Sequence, residues 1–360
     1  MDDPRIEAYA RLLVGRCIDV HPGWQVLIKS RPAARPLVQA VAREIAARGA
    51  FALLRIGFGP FDWDLEWAKE APVELLDTPA PIDRHAQETA DAWINIRAPE
   101  STHEGADLPP EREALLFKGL QPFTARRLSF QMPWVGCQFP TESLAEEAGM
   151  TLAEFEDFLY GACLLDWDAE AKRMGRYKER FDAASEVRVV GEGTDLSIGL
   201  QGREGMVDDG HLNMPGGEFF FSPLEDSTEG VVTFSEFPAV EHGHEARGVR
   251  LRFEGGRVVD ASAEAGEDYL LATLGTDPGA SVLGELGVGC NPGITRHTKN
   301  TLFDEKIDGT IHLAVGAGFP QLGGTNVSVV HWDMVKDLRR PGTLIELDGV
   351  PVQRDGAWSI

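Results

Sequence analysis

Two segments of this 360-residue chain place a histidine where a β-strand would hold it. In VSVVHWDMV (327–335), β-branched and aromatic residues dominate, so the segment reads as a strand. Residues two apart share a strand face. His331 and Asp333 therefore lie side by side, roughly 7 Å apart along the chain, within reach of one ion or of two adjacent ions. Val330, Trp332 and Met334 point the other way, into a core. TIHLAVGAGFP (310–320) repeats the arrangement: Ile311, Leu313 and Val315 form an apolar face, and His312 lies opposite with Ala314. A lone histidine in an apolar strand is more often a hydrogen-bonded core residue than a ligand. A second one so close in the chain shifts that balance.

Two carboxylates sit in comparably apolar settings, Glu218 in NMPGGEFFFSP and Glu285 in LGELGVGCNPG. A buried carboxylate is costly unless it is paired or metal-bound; a salt bridge or a loop cap would account for either one alone. Taken together, Glu218, Glu285, His312, His331 and Asp333 form an N/O donor set free of thiolate. Such a set suits two Zn, Co or Mn ions about 3.5–4 Å apart, as in two-metal hydrolases. The chemistry expected is hydrolysis by metal-bound hydroxide, with the scissile carbonyl polarised by the ions. An ion that also held a free α-amine would restrict cleavage to an N-terminal residue. His312, His331 and Asp333 alone could instead make a mononuclear Fe(II) site of two histidines and one carboxylate, which leaves Glu218 and Glu285 without a role.

These residues need a scaffold, and the chain divides by texture. VLI (26–28), a helical run from Pro36 closed by Gly49, and FALLRIGF (51–58) make a βαβ unit, hence a parallel pair with a right-handed crossover. AWINI (92–96) reads as a further buried strand. Residues 151–184 are helical, with one break near Asp166–Asp168. After Ala184, strands predominate: VRVV (187–190), DLSIGL (195–200), GVVTF (230–234) and VRLRF (249–253), with EDYLLATLG (267–275) the clearest helix. The expected fold is an α/β N-terminal domain, 1–185, and a mixed α+β, β-rich C-terminal domain, 186–360, that carries the metal site.

Formal net charge is −24, from 58 acidic and 34 basic residues. That balance argues against a nucleic-acid partner, which needs clustered Lys and Arg, and mildly favours cationic ligands such as peptide amines. There is neither an apolar run long enough to span a membrane nor a signal-peptide pattern at the start. Cys17, Cys137, Cys163 and Cys290 form no CxxC pair and read as buried thiols of a reducing compartment. A cytoplasmic protein without membrane association is expected. GELGVG (284–289) lacks the strand–turn–helix context of a nucleotide loop. HGHE (242–245) and STHEGAD (101–107) read as solvated loops.

The segments NMPGGEFFFSP, LGELGVGCNPGI, LFDEKIDGTIHLAVGAGFP, GGTNVSVVHWDM and GTDLSIGLQGR, with GWQVLIKS and GAFALLRIG near the start, resemble the thermophilic metallo-aminopeptidase family (the aminopeptidase T and aminopeptidase S group). The resemblance covers essentially the whole chain. It implies that Glu218, Glu285, His312, His331 and Asp333 hold two metal ions, that Glu285 also serves as general base, and that Glu305 is a further acid near the metals. It implies a peptide or small amide substrate and a homodimer whose active sites face an internal cavity. At one position the chain departs from the family pattern: Phe319 stands where a tyrosine is usual, seven residues after the first histidine. That tyrosine is thought to stabilise the tetrahedral intermediate, and losing such a donor costs about 10²–10³ in rate. Thr325, Asn326 and Ser328 are the nearest replacements in sequence. The segment joining His312 to His331 is also shorter than in typical members. The scaffold is similar to that of non-haem iron dioxygenases that open dihydroxypyridine rings, a reading to which Phe319 lends support. A metal- and peptide-binding homologue of low turnover is the third reading.

Overall fold

The structure, a computed structural model, describes residues 3–59, 64–102, 104–105, 107–128, 132–241 and 243–359. Two expected loop histidines, His103 and His242, fall outside these. The chain forms two compact units, one of residues 1–164 and 210–215, the other of 165–209 and 216–360.

In the first unit, Gln25–Ser30, helix Arg35–Ala47 and Phe51–Ile56 make the expected βαβ, with Val26 level with Ala52 in a parallel pair. The helix buries Leu37, Val38, Val41 and Ile45, the residues of its 3.6-period stripe. Gly49, at φ +74°, takes the left-handed conformation that ends it. The sheet is parallel throughout, in the order Phe51–Ile56, Gln25–Ser30, Ala92–Arg97, Trp134–Gln138, Asn213–Met214. Its central strands are apolar runs with Val26, Ile28, Ile94 and Val135 fully buried, as strands covered on both faces must be.

The helical stretch breaks at Leu164–Asp166. Helix Leu152–Cys163 starts on a Thr151–Glu154 capping box, and helix Trp167–Asp182 starts on the Asp166 side chain, which accepts from the Ala169 amide. The second unit begins at residue 165, ahead of its first strand, Glu186–Gly191. The helix before that strand sends Met174, Tyr177 and Phe181 into that unit's core, with the Phe181 ring edge-on to Phe219 at 5.1 Å.

The second unit is β-rich, as expected. An eight-stranded sheet runs 257–262, 249–254, 229–234, 194–199, 186–191, 344–347, 350–354, 357–358. A five-stranded antiparallel sheet runs His331–Asp337, Thr310–Gly316, Leu283–Gly289, Glu218–Phe221, Met206–Asp208. Alternation gives this second sheet two unlike faces. Phe219, Phe221, Leu286, Val288, Ile311, Leu313, Val315, Trp332 and Met334 join Val187, Leu196, Val232, Leu251 and Ile345 in one core. The other face carries the acids and imidazoles. Among the described residues no helix is long and apolar enough to cross a membrane.

That polar face requires small residues. Gly287 is level with His312 on the neighbouring strand, and a Cβ on it would lie 1.9 Å from the imidazole. Gly316, level with His331, has φ +108°, and a Cβ there would lie 2.1 Å from the Val330 carbonyl oxygen. Gly287→Ala should therefore displace His312 and cost about 1–3 kcal/mol, as overpacking does. A fall in thermal midpoint by several degrees is the expected result; an unchanged midpoint would show that the imidazole can move aside freely.

Candidate metal centre

The register brings five of the residues singled out from sequence onto one sheet face. Glu218 is level with Gly289, His312 with Gly287, Asp333 with Ala314 and His331 with Gly316, while Glu285 lies beside Ala314 across a register shift. Glu218 and Glu285 are buried and His312 is almost fully so; His331, a third exposed, is the most open of the five.

Glu285 lies between the two imidazoles. One of its oxygens is 3.3 Å from Nε2 of His312 and the other 3.0 Å from Nε2 of His331. Glu218 Oε2 is 3.4 Å from His312 Nε2, and Asp333 Oδ2 is 3.8 Å from His331 Nε2. Glu305, named above only as a further acid, belongs here too. Ligand-capable atoms of Glu218, Glu305 and His312 fall within 4.8 Å of one another, and so do those of Glu285, His312 and Asp333. His312 is common to both groups.

Backbone carbonyls orient both imidazoles. His312 Nδ1 is 2.9 Å from the Glu305 carbonyl oxygen, and His331 Nδ1 is 3.0 Å from that of Ala317. Each Nδ1–H donates outward, so each Nε2 faces the carboxylates; its N–H donates to them here, and loss of that proton leaves the lone pair aimed for a metal. The Glu305 carbonyl is held in turn by a short helix, Thr301–Asp304. The buried Asp304 carboxylate accepts from the Thr298 and Asn300 amides at 2.6 and 2.8 Å and fixes the turn that leads into it.

The electrostatics are those of buried acids and imidazoles that shift one another's protonation. Burial pushes the Glu218 carboxyl up to about 8 despite Lys306 beside it, and burial pushes Asp333 up to about 7. Burial also works against Glu285, but its hydrogen bonds to the two imidazoles prevail and hold it at about 2. Burial disfavours charge on His312 and His331, yet the carboxylates around them hold both up at about 10. Asp333 Oδ1 is buried with no hydrogen-bond partner among the described residues. Inward-facing imidazole nitrogens, a carboxylate oxygen without a hydrogen-bond partner among the described residues and acids pushed up by burial together fit a divalent-metal centre.

Phe319 packs edge-on against His331 at 5.3 Å and against Phe220 at 5.2 Å, making an apolar wall beside the imidazole. Its amide donates to Ser222 Oγ at 2.7 Å. The three groups proposed to replace a tyrosine hydroxyl are otherwise engaged. Thr325 donates to Glu225, Asn326 to the Gly279 and Gly316 carbonyls, and Ser328 to Asp277.

Lys306 escaped the sequence reading. Its side chain has no exposure, and Nζ lies 3.1 Å from Glu218 Oε1 and in contact with Glu305. A lysine in DEK between two strands looks solvated, and nothing in the pattern marks it as buried.

Residues 2–358 match the family described as thermophilic metalloprotease (M29). Aminopeptidase T of Thermus aquaticus is 29% identical over 337 aligned positions, covering 75% of this chain and 81% of that protein. The structure of wild-type AmpT from Thermus thermophilus matches with a TM-score of 0.86 at 24% identity, over 99% of both chains. That of 2,5-dihydroxypyridine dioxygenase from Pseudomonas putida KT2440 matches with a TM-score of 0.62 at 15% identity, over 98% of this chain and 96% of the other. At these identities the two solved structures establish a shared fold.

A cation entering this cluster must displace protons from the imidazoles and from the protonated acids. Zinc binding to the metal-free protein at pH 7 should therefore release protons and tighten as pH rises towards 9. Calorimetry in buffers of different ionisation enthalpy checks this; heats independent of the buffer would contradict it.

Proposed function

The chain belongs to the thermophilic metalloprotease family (M29), and from that membership we infer that it is a metal-dependent aminopeptidase that releases N-terminal residues from peptides. The observation that carries this reading is the gathering of five carboxylate and imidazole side chains on one sheet face, with both Nε2 atoms turned inward. We propose two divalent ions, of Zn, Co or Mn type. Glu218, Glu305 and His312 would hold one and Glu285, His331 and Asp333 the other, with His312 and Glu285 next to both. When bound, the ions supply Lewis acidity to the scissile carbonyl and lower the pKa of water towards neutrality.

The protein's own groups do the rest. Glu285, both of whose oxygens face the interior of the cluster, accepts the proton of the attacking water and passes it to the leaving amine. Phe319 and Phe220 exclude water from one side of the reacting bond. The acidic cluster favours an N-terminal amine over a blocked or carboxylate terminus. By family resemblance we also propose a homodimer in the cytoplasm.

The dioxygenase reading shares the scaffold, and the apolar ring of Phe319 would suit an aromatic substrate. Against it stand Glu218 and Glu285, two buried carboxylates that a mononuclear site of His312, His331 and Asp333 would not use.

Glu285→Gln tests the proposal. It should lower hydrolysis of aminoacyl-p-nitroanilides by about 10²–10⁴, the usual contribution of a general base, while the protein keeps its metal. Full activity at parental metal content would exclude Glu285 as the base. Activity and metal lost together would make it a ligand alone and move the base to Glu305. In the same assay Phe319→Tyr should raise the turnover number by about 10-fold or more, since a hydroxyl regained at this position can stabilise the oxyanion. No gain would show that a missing hydroxyl does not limit the rate.

A further inference from the structure

Lys306 has no place in the ligand set, yet it lies inside it. Its side chain is wholly removed from solvent, 0% exposed, and its ammonium meets one oxygen each of Glu218 and Glu305. Both carboxylates belong to one of the two ligand groups, and His312 is shared with the other. The other half, Glu285, His331 and Asp333, has no lysine or arginine within ion-pair distance among the described residues, and its close partners are imidazoles; each half has a buried carboxylate oxygen without a hydrogen-bond partner among the described residues, Asp333 Oδ1 here and Glu218 Oε2 there. One half thus holds Lys306 among three acids, Glu218, Glu305 and the buried Asp208 level with Glu218, whereas the other holds two acids and no fixed cation.

That charge matters because Lys306 and Glu218 are buried. Two like charges a few ångströms apart repel strongly where the effective dielectric constant is about 20 rather than 80. A divalent ion at Glu285 and Asp333 meets two carboxylates whose close partners are imidazoles, which can give up a proton to the solvent, and no fixed ammonium. One at Glu218 and Glu305 meets carboxylates already partly neutralised, each with one oxygen turned to the lysine, and must approach an ammonium that cannot withdraw to water.

We propose that Lys306 is a built-in cation that makes the two metal positions unequal, so that the Glu285–Asp333 position fills first and tightly and the Glu218–Glu305 position fills second and exchanges readily. This rests on reading these residues as metal ligands. It goes further by ranking the two positions and naming the residue responsible. The consequence is an enzyme whose tight ion is resident, and whose activity follows free metal through the weaker position.

The test is a calorimetric titration of the metal-free full-length protein with zinc ion alone. The parent should bind in two steps at least 10-fold apart in affinity. Lys306→Met, which keeps an unbranched side chain one atom shorter and removes its charge, should tighten the weaker step by about 10–10³-fold and leave the stronger within about 3-fold. Lys306→Arg should preserve the gap, and Asp333→Asn should weaken the stronger step. A parent that fills one position only, with a second appearing in Lys306→Met, supports the same conclusion. A parent that fills both positions within 3-fold of each other overturns the proposal without recourse to any variant. So does a folded Lys306→Met with an unchanged or weaker second step. A parent that binds no zinc would remove the metal-centre reading itself, and this inference with it.

Discussion

The structure depends on one constraint: a single antiparallel sheet must bury apolar side chains on one face and a cluster of carboxylates and imidazoles on the other. Phe219, Phe221, Leu286, Leu313, Trp332 and Met334 anchor the first face in the core of the second unit. Glu218, Glu285, His312, His331 and Asp333 follow on the second because side chains alternate strictly along strands. A slip of one residue in any of these strands would exchange core for site. The stability of the core therefore holds the geometry of the centre, and the glycines at 287 and 316 keep its interior open.

Such a face is expensive without a cation. Carboxylates deprived of water stabilise themselves by retaining protons or by turning to the nearest positive group, and both responses occur here. Glu218 and Asp333 are pushed towards the protonated form, while His312 and His331 are held towards the charged one. Lys306 supplies the remaining charge from within the protein. A fold that keeps so many acids out of solvent gains little in stability from them, which makes their arrangement a functional one. In our proposal, the placement of Lys306 gives the two halves unequal affinity for a cation.

Much of this was legible in the sequence because periodicity reports side-chain direction. The x-His-x-Asp alternation at 330–333 and the apolar residues flanking His312 specified the face on which each would lie. The βαβ unit was equally clear, from a helical stripe closed by Gly49. Charge neutralisation was not legible. Lys306 looks like any loop lysine, and its burial comes from the long-range pairing that brings Glu218 beside Thr310–Gly316 through the intervening strand. The competing engagements of Thr325, Asn326 and Ser328 were hidden for the same reason, since their partners Glu225, Gly279, Gly316 and Asp277 lie up to 100 residues away. The helix at 167–182 reads as a continuation of the one before it. Only its packing against Phe219 assigns it to the second unit.

Whether this sheet face holds two ions can be read from anomalous X-ray diffraction of crystals equilibrated with saturating zinc. The account predicts two anomalous peaks about 3.5–4 Å apart, one against Glu218, Glu305 and His312 and the other against Glu285, His331 and Asp333. A single peak at saturation, or peaks away from this face, would contradict it.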